Sequence, residues 1–269
     1  MLKSEDLDLA RFGKYKEDYM KNIEVKILNP EVIKECEKMM VCSARLTQRG
    51  HKIKNLDDFM ELYNKSYTDK TANAMVSLPH PTIQKFGVIN VVIVGGSRRF
   101  LAQITRHQNE VKFMSASLQY SDYSDNADFF VPYEIICKGE EAVNNYLDIC
   151  KSNMEEYKKS VNSYNIDHDT MGYIVPHALR NILIISATPY QWKHMIQQRT
   201  CNRNTQETQY IMLKIWEALY NENPVLFKDC GPFCMTGPCK EGKMCCGRPI
   251  DKGATPTEIL KNNYPLLYK

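Results

Sequence analysis

Apolar and polar positions divide the chain into extended and helical stretches. IEVKILN, from Ile23, alternates with a period of two and predicts a strand, after an opening segment to about Lys21 that is charged and helical in pattern. Pro30 suits a helix start. EVIKECEKMMVCSARL then carries apolar residues at helical spacing, and LDDFMELYNKSY predicts a second helix opened by Asn55 or Asp57. FGVINVVIV, Phe86 to Val94, is rich in β-branched residues and predicts a buried strand that Gly95-Gly96-Ser97 should end. RRFLAQITRH follows as a helix ending at Arg106-His107. It sets Phe100, Ile104 and His107 on one face and Arg99, Gln103 and Arg106 on another. A basic, amide-bearing face so close to a strand end suggests an anion pocket.

VKFMSASLQYSDYSDNADFFVPYEI mixes short extended pieces with a polar turn around Ser121 to Asp128, which is pocket-forming material. EEAVNNYLDICKSNMEEYKKSVNSY predicts a long amphipathic helix, and the continuous apolar run NILIISA predicts a buried strand ended by Thr188-Pro189. QWKHMIQQR and ETQYIMLKIWEALYN are two further helices joined by the polar bend TCNRNTQ. Strand and helix do not alternate regularly. The class expected is therefore α+β, a mixed or antiparallel sheet flanked by long helices. Neither GxGxxG nor a P-loop occurs, so any dinucleotide must be held by other means.

Composition narrows the function. The 269 residues carry 35 basic and 32 acidic side chains, a formal charge of +3, too balanced for a broad nucleic-acid-binding face. No apolar run approaches the roughly 20 residues that span a bilayer, and the N-terminal segment lacks a signal peptide's apolar centre. A cytoplasmic protein without nucleic-acid or membrane partners is expected. In that reducing compartment the 10 cysteines are thiols or metal ligands rather than a disulfide framework.

Four separated segments, in order, resemble the flavin-dependent thymidylate synthases. Ala44-Arg45-Leu46-Thr47 is similar to that family's early Ala-Ala-Arg-x-Ser/Thr, and Leu78-Pro79-His80-Pro81-Thr82 to its Gly-His-x-Thr. Gln103-Ile104-Thr105-Arg106-His107-Gln108, continuing to Ser117-Leu118-Gln119-Tyr120, resembles Gln-x-x-Arg-His-Arg followed by Ser-x-Arg-Tyr. Arg199-Thr200-Cys201-Asn202-Arg203, with Glu207 beyond and Pro176 before, resembles the last family segment.

The resemblance implies a homotetramer with FAD at intersubunit sites. It also implies methylation of dUMP to dTMP, with methylenetetrahydrofolate as carbon donor, NADPH as reductant and no enzyme nucleophile. It places Arg199 in the catalytic position, steadying negative charge on the pyrimidine. It assigns His80, Thr82, Arg106, His107 and His194 to the flavin, and Gln103, Arg106, Ser117 and Arg199 to the nucleotide; Arg45 is a weaker match. Each residue also has a plain structural alternative, such as a satisfied core histidine or a helix-end arginine.

The departures bear on the substrate. Gln108 and Gln119 each replace a family arginine, Gly172 falls at a phosphate-binding arginine, and Thr188, Tyr190 and Thr205 replace Asn, Arg and Gln. A charge-assisted bond to phosphate contributes about 1.5–3 kcal/mol, so the missing cations leave dUMP less secure than the flavin. The alternatives are an FAD-binding paralogue acting on another pyrimidine nucleotide, or a non-catalytic flavin- or nucleotide-binding protein.

The C-terminal part, Cys230-GPF-Cys234-MTGP-Cys239-KEGKM-Cys245-Cys246-GRP, sets five cysteines among turn residues. They read either as a structural metal site, zinc before an iron–sulfur cluster, or as reduced thiols. The expected organisation is a main domain over residues 1–228, a cysteine-rich segment over 229–250 and an extension over 251–269.

Overall fold

The computed structural model describes residues 23–228, 230–265 and 267. The helical reading of the opening segment lies outside the described residues. Strand β1 (Glu24–Ile27) leads to helices α1 (Glu31–Arg49), α2 (Leu56–Asn64) and α3 (Asp69–Val76). Strand β2 (Ile89–Ser97), helix α4 (Arg98–Ile104) and strand β3 (Val111–Ser115) follow, then the 25-residue α5 (Glu140–Tyr164). Strand β4 (Arg180–Ala187) and helices α6 (Pro189–Arg199), α7 (Gln206–Glu222) and α8 (Pro256–Asn263) complete the frame. Asn55 caps α2 by accepting from the Asp58 amide at 2.9 Å, the first of the two caps the sequence offered. The sequence pattern did not mark α3; Thr68 caps it.

The four strands form one antiparallel sheet in the order β1-β2-β4-β3, which makes the protein α+β as expected. One face, carrying Ile89, Val91, Ile93, Leu183, Ile185 and Ala187, is buried in the main core. Helix α7 is the centre of that core: Ile211, Met212, Leu213, Ile215, Trp216 and Leu219 are all buried, so it is apolar nearly all round. Both tryptophans anchor through the indole N–H. Trp192 donates to the Ile89 carbonyl at 3.1 Å and Trp216 to that of Phe227 at 2.7 Å.

Two expectations are corrected here. NILIISA does not bury both faces within the chain: Ile182 and Ile184 point away from the core, 50% and 37% exposed. Val94 and Met114 stand beside them on the same face. Nor does the strand before the glycines stop at Gly95. A bulge between Val94 and Gly96, with Gly95 at φ +86°, bends β2 without ending it, and pairing resumes at Gly96 with Asn181 and at Ser97 with Arg180. Gly96 is needed for a different reason, since a Cβ there would lie 3.1 Å from the Phe100 ring and 3.3 Å from Ile211.

Among the described residues, no helix is long and apolar enough to cross a membrane. The bulge generates a test. Gly95→Ala forces an L side chain into the left-handed region and should cost about 1–3 kcal/mol, read as a lower denaturation midpoint. An unchanged midpoint contradicts the need for glycine at the bulge.

Candidate active site

The site begins where β2 hands over to α4. Ser97 caps α4, its hydroxyl accepting from the Phe100 amide at 3.1 Å. The same residue is clamped from the far end of the sequence: its amide and its hydroxyl each donate to the Glu207 carboxylate at 2.6 Å. Glu207 is buried and sits in the first turn of α7, so one carboxylate lies at the starts of two helices, where their dipoles favour negative charge. Burial, the largest influence, raises the Glu207 pKa, while the Ser97 bonds and then Arg180 and Arg99 oppose it.

With its start pinned, α4 delivers its other end to the site. It stops at Ile104, capped by Thr105, so Arg106 and His107 lie just past the helix rather than at its end as expected. There the His107 amide closes a tight turn onto the Ile104 carbonyl at 3.1 Å. The helix C-terminus favours the Arg106 cation. From the other side comes Arg199, the last residue of α6, a helix started by Thr188 and Pro189.

The Arg199 guanidinium is spread over three acceptors. Nε donates to His107 Nε2 at 2.8 Å, Nη2 to the Gln103 carbonyl at 3.0 Å, and Nη1 to Asn204 Oδ1 at 3.4 Å. His107 can accept only as a neutral imidazole with its proton on Nδ1. Burial foremost, then Arg199 and His194, brings its pKa down to about 4 from 6.5, which keeps it neutral. The His194 ring meets that of His107 edge-on, centroids 6.0 Å apart, and accepts from Gln198 at 3.0 Å. Burial, then Arg106, lowers the Arg199 pKa. Among the described residues neither Arg106 nor Arg199 is in an ion pair. Two neighbouring cations without a carboxylate form a site for an anion or for charge that develops during reaction.

Thr205 and Thr208 were not singled out as site residues. Both hydroxyls donate to the Gln103 side-chain oxygen, that of Thr205 at 3.0 Å, which fixes the amide next to Arg199. Thr205 also caps α7, and Thr at a helix start was the one signal available. Thr188, another departure, is likewise a cap, accepting from the Gln191 amide at 3.3 Å.

Gln103, His107, His194 and Arg199 thus form one cluster with Arg106 beside it. His80 and Thr82 lie elsewhere, both exposed, His80 just before and Thr82 within the single turn Pro81–Gln84, which Lys193 of α6 ties down through Gln84 at 2.6 Å. Ser117 follows β3 and accepts from the Gln119 amide at 3.1 Å. Among the described residues, none of these three hydrogen-bonds to the Arg199 cluster within a single chain. Arg45 is structural, donating to the carbonyls of Lys65 and Ser66 at 2.8 and 3.0 Å. Two of the departures are neighbours: His168 Nε2 lies 2.8 Å from the Gln119 carbonyl, and a Cβ at Gly172 would touch Leu118 at 3.6 Å.

A cavity of about 660 Å³ opens beside Arg199, within the size range of nucleotide and cofactor sites. Its wall groups the cysteines differently from their order along the chain. Cys234, Cys239, Cys245 and Cys246 line it together with Cys201 from the bend after Arg199. Cys230 does not: it is buried in the core, its thiol directed at the Leu226 carbonyl one helical turn back. None of the cysteines among the described residues is in a disulfide, and as they stand no three His, Cys, Asp or Glu side chains among those residues could hold a metal ion.

The depressed His107 pKa has a measurable consequence. The unfolded chain takes up this proton below about 6.5 and the folded chain only near 4, so stability present above pH 6.5 is lost as pH falls toward 4. The midpoint of thermal unfolding should therefore drop more between pH 7 and 4.5 in the wild type than in His107→Gln. Equal drops contradict a buried neutral His107.

The comparisons with known proteins bear on the family and the fold. Residues 31–225 match the family described as thymidylate synthase complementing protein. The chain is similar to the flavin-dependent thymidylate synthase of Geobacter sulfurreducens, 23% identical over 199 residues that cover 73% of this chain and 84% of that protein. It is similar also to that of Clostridium tetani, 21% identical over 248 residues, covering 86% and 96%. In fold it resembles thymidylate synthase X of Helicobacter pylori, solved with FAD and dUMP, with a TM-score of 0.56 and 16% identity over 77% of this chain and 98% of that one. A UMP/dUMP methylase of Streptomyces cacaoi, bound with 5-Br dUMP, gives a TM-score of 0.59 and 13% identity, covering 76% and 93%. With the matched region running through β2, α4, α6 and all of α7, this chain belongs to the thymidylate synthase complementing protein family, the flavin-dependent thymidylate synthases, and is an enzyme of that family.

Proposed function

We propose that this enzyme methylates dUMP to dTMP, taking the carbon from methylenetetrahydrofolate and the electrons from NADPH through a bound FAD. The observation that carries the reading is the grip of Arg199 by His107 and Gln103, with Arg106 beside them. The donors fit a flavin and an anionic nucleotide: Arg106 and Arg199 bring positive charge that no carboxylate among the described residues pairs, and His194 and Gln198 bring neutral hydrogen-bonding groups. Bound FAD would supply the hydride that completes the methyl group. Flavin contacts fall to His80, Thr82, Arg106, His107 and His194, and nucleotide contacts to Gln103, Arg106, Ser117 and Arg199.

In this reading Arg199 meets the negative charge that builds on the pyrimidine as C5 is alkylated. Because its guanidinium is already held on three acceptors, little reorganisation is needed when the charge appears. Neutral His107 matters as much: a protonated imidazole would repel Arg199 instead of accepting its Nε–H.

A homotetramer accounts for the residues that one chain leaves apart. His80, Thr82 and Ser117 would reach Arg199 across a subunit boundary. The exposed apolar sheet face of Val94, Met114, Ile182 and Ile184 supports a second copy as its cover. Ile184→Asp should give a smaller species on sizing and lose flavin with it; a wild-type monomer that retains flavin overturns the arrangement.

A second reading changes the substrate. Gln119 and Gly172 sit on adjacent segments, so two arginines missing by comparison with the family are missing from one place. The likeness to a UMP/dUMP methylase supports another pyrimidine nucleotide there. Tritium release from 5-tritiated dUMP and UMP, with folate and reductant, separates the readings. Release from dUMP is expected, reduced by about 10²–10³-fold in Arg199→Ala with flavin still bound; release from UMP alone moves the function to the second reading, and release from neither contradicts both.

A further inference from the structure

Helix α6 carries a polar stripe besides the arginine at its end. Tyr190, Lys193, His194 and Gln197 recur at i, i+3, i+4 and i+7, so they share one face. All four are half-buried and line a cavity of about 350 Å³, bounded elsewhere by Gln84 of the Pro81–Gln84 turn and by Lys228 beyond α7. His194 belongs both to this cavity and to the Arg199 cluster, through its edge-on contact with His107. Gln84 belongs to the turn that bears Thr82 and follows His80. The cavity therefore adjoins both groups of residues that fall to the flavin.

Lys193 is under-satisfied in that wall. Its ammonium has three N–H donors and, among the described residues, one acceptor, the Gln84 side-chain oxygen at 2.6 Å. Gln84 is itself committed, its amide nitrogen donating to the Val76 carbonyl at 3.0 Å. Among the described residues no carboxylate lines the cavity or pairs with Lys193 or Lys228. Burial, the largest influence, lowers the Lys193 pKa, with Cys230 opposing it, so the cation is held at a cost that no protein anion there offsets. A mere tether for the turn needs no charge, since a neutral donor would serve the Gln84 oxygen as well. Two ammonium groups from separate elements, with the Tyr190 hydroxyl and the Gln197 amide in the same wall, match instead an anion with several oxygens.

We infer that this cavity is a phosphate subsite, in which Lys193 and Lys228 hold the diphosphate of a dinucleotide whose ring lies at the Arg199 cluster. The inference rests on the flavin reading above and adds to it two residues that no sequence motif brought out. At about 350 Å³ the cavity is at the small end for ligand sites, which suits a diphosphate with its ribose rather than a whole dinucleotide. The ring then lies outside it, on the side where His194 meets His107. The chain has neither GxGxxG nor a P-loop, whose turns offer backbone amides to phosphate, so side-chain cations must do that work. Flavin and reduced nicotinamide dinucleotides share the diphosphate, and the bordering turn that carries Thr82 assigns the subsite to the flavin.

The test is equilibrium binding of riboflavin and of FAD to the full chain freed of flavin, read by the change in flavin fluorescence, with NADPH titrated separately. Wild type should prefer FAD to riboflavin, and Lys193→Met should reduce that preference about 10–100-fold while riboflavin binds as before. A role confined to tethering the turn would weaken both ligands alike. Lys193→Arg should keep most of the preference, and so should Gln84→Leu, which removes the tether and leaves the cation. Should Lys193→Met not fold, Lys228→Met, at an exposed position, takes its place, with a loss of about tenfold expected. An unchanged FAD preference with NADPH bound about tenfold more weakly by the variant keeps the subsite and gives it to the nicotinamide dinucleotide. If FAD preference and NADPH affinity both stay unchanged, or riboflavin and FAD weaken equally, the inference is overturned and the flavin reading stands. Wild type that binds neither riboflavin nor FAD removes the flavin reading, and this inference with it.

Discussion

A single buried carboxylate sets the geometry of this enzyme. Glu207 accepts from both the amide and the hydroxyl of Ser97, which joins the start of α7 to the point where β2 turns into α4. Helix α4 is only seven residues long, too short to hold its own direction, so whatever fixes its first residue also aims its last. Through it the clamp governs where Gln103 and His107 stand. The interaction is costly to leave half made: a buried carboxylate without Ser97 would lose two hydrogen bonds.

From that anchor the site follows by successive constraint. Gly95 lets β2 bulge and continue to Ser97, Thr205 and Thr208 fix the Gln103 amide, and Gln103 and His107 share Arg199. Each link restricts the next. The result is a guanidinium that is charged, half-buried and pre-aligned, beside a histidine that burial keeps neutral. Catalysis by stabilising developing charge needs this arrangement, because groups that must reorganise during the reaction give back much of what they gain.

The local features were legible in the sequence and the long-range ones only in part. Helical spacing located α1, α5, α6 and α7, and Asn55 announced a cap. The order of motifs brought out Gln103, Arg106, His107 and Arg199, and three of those four touch. What could not be read was pairing at a distance. Ser97 and Glu207 are 110 positions apart, and nothing local in either marks the other. Gly95-Gly96 read as a strand end because a glycine pair serves equally for a stop and a bulge, and only the partner strand decides. NILIISA read as buried because continuity does not reveal which alternate residues a single chain leaves uncovered. Cys230 was grouped with its sequence neighbours, yet Cys201 takes its place at the cavity, since spacing along the chain does not show which turn folds back on which bend.

The account rests on a flavin being bound where Arg199 and His107 meet. The visible absorption spectrum of the purified protein, before and after addition of FAD, tests this most directly. The two bands of an oxidised isoalloxazine, present on isolation or restored by FAD and lost in Glu207→Ala while the chain stays folded, are the predicted result. A colourless protein that takes up no FAD, or a variant without the Glu207 clamp that binds flavin as tightly as the wild type, would contradict it.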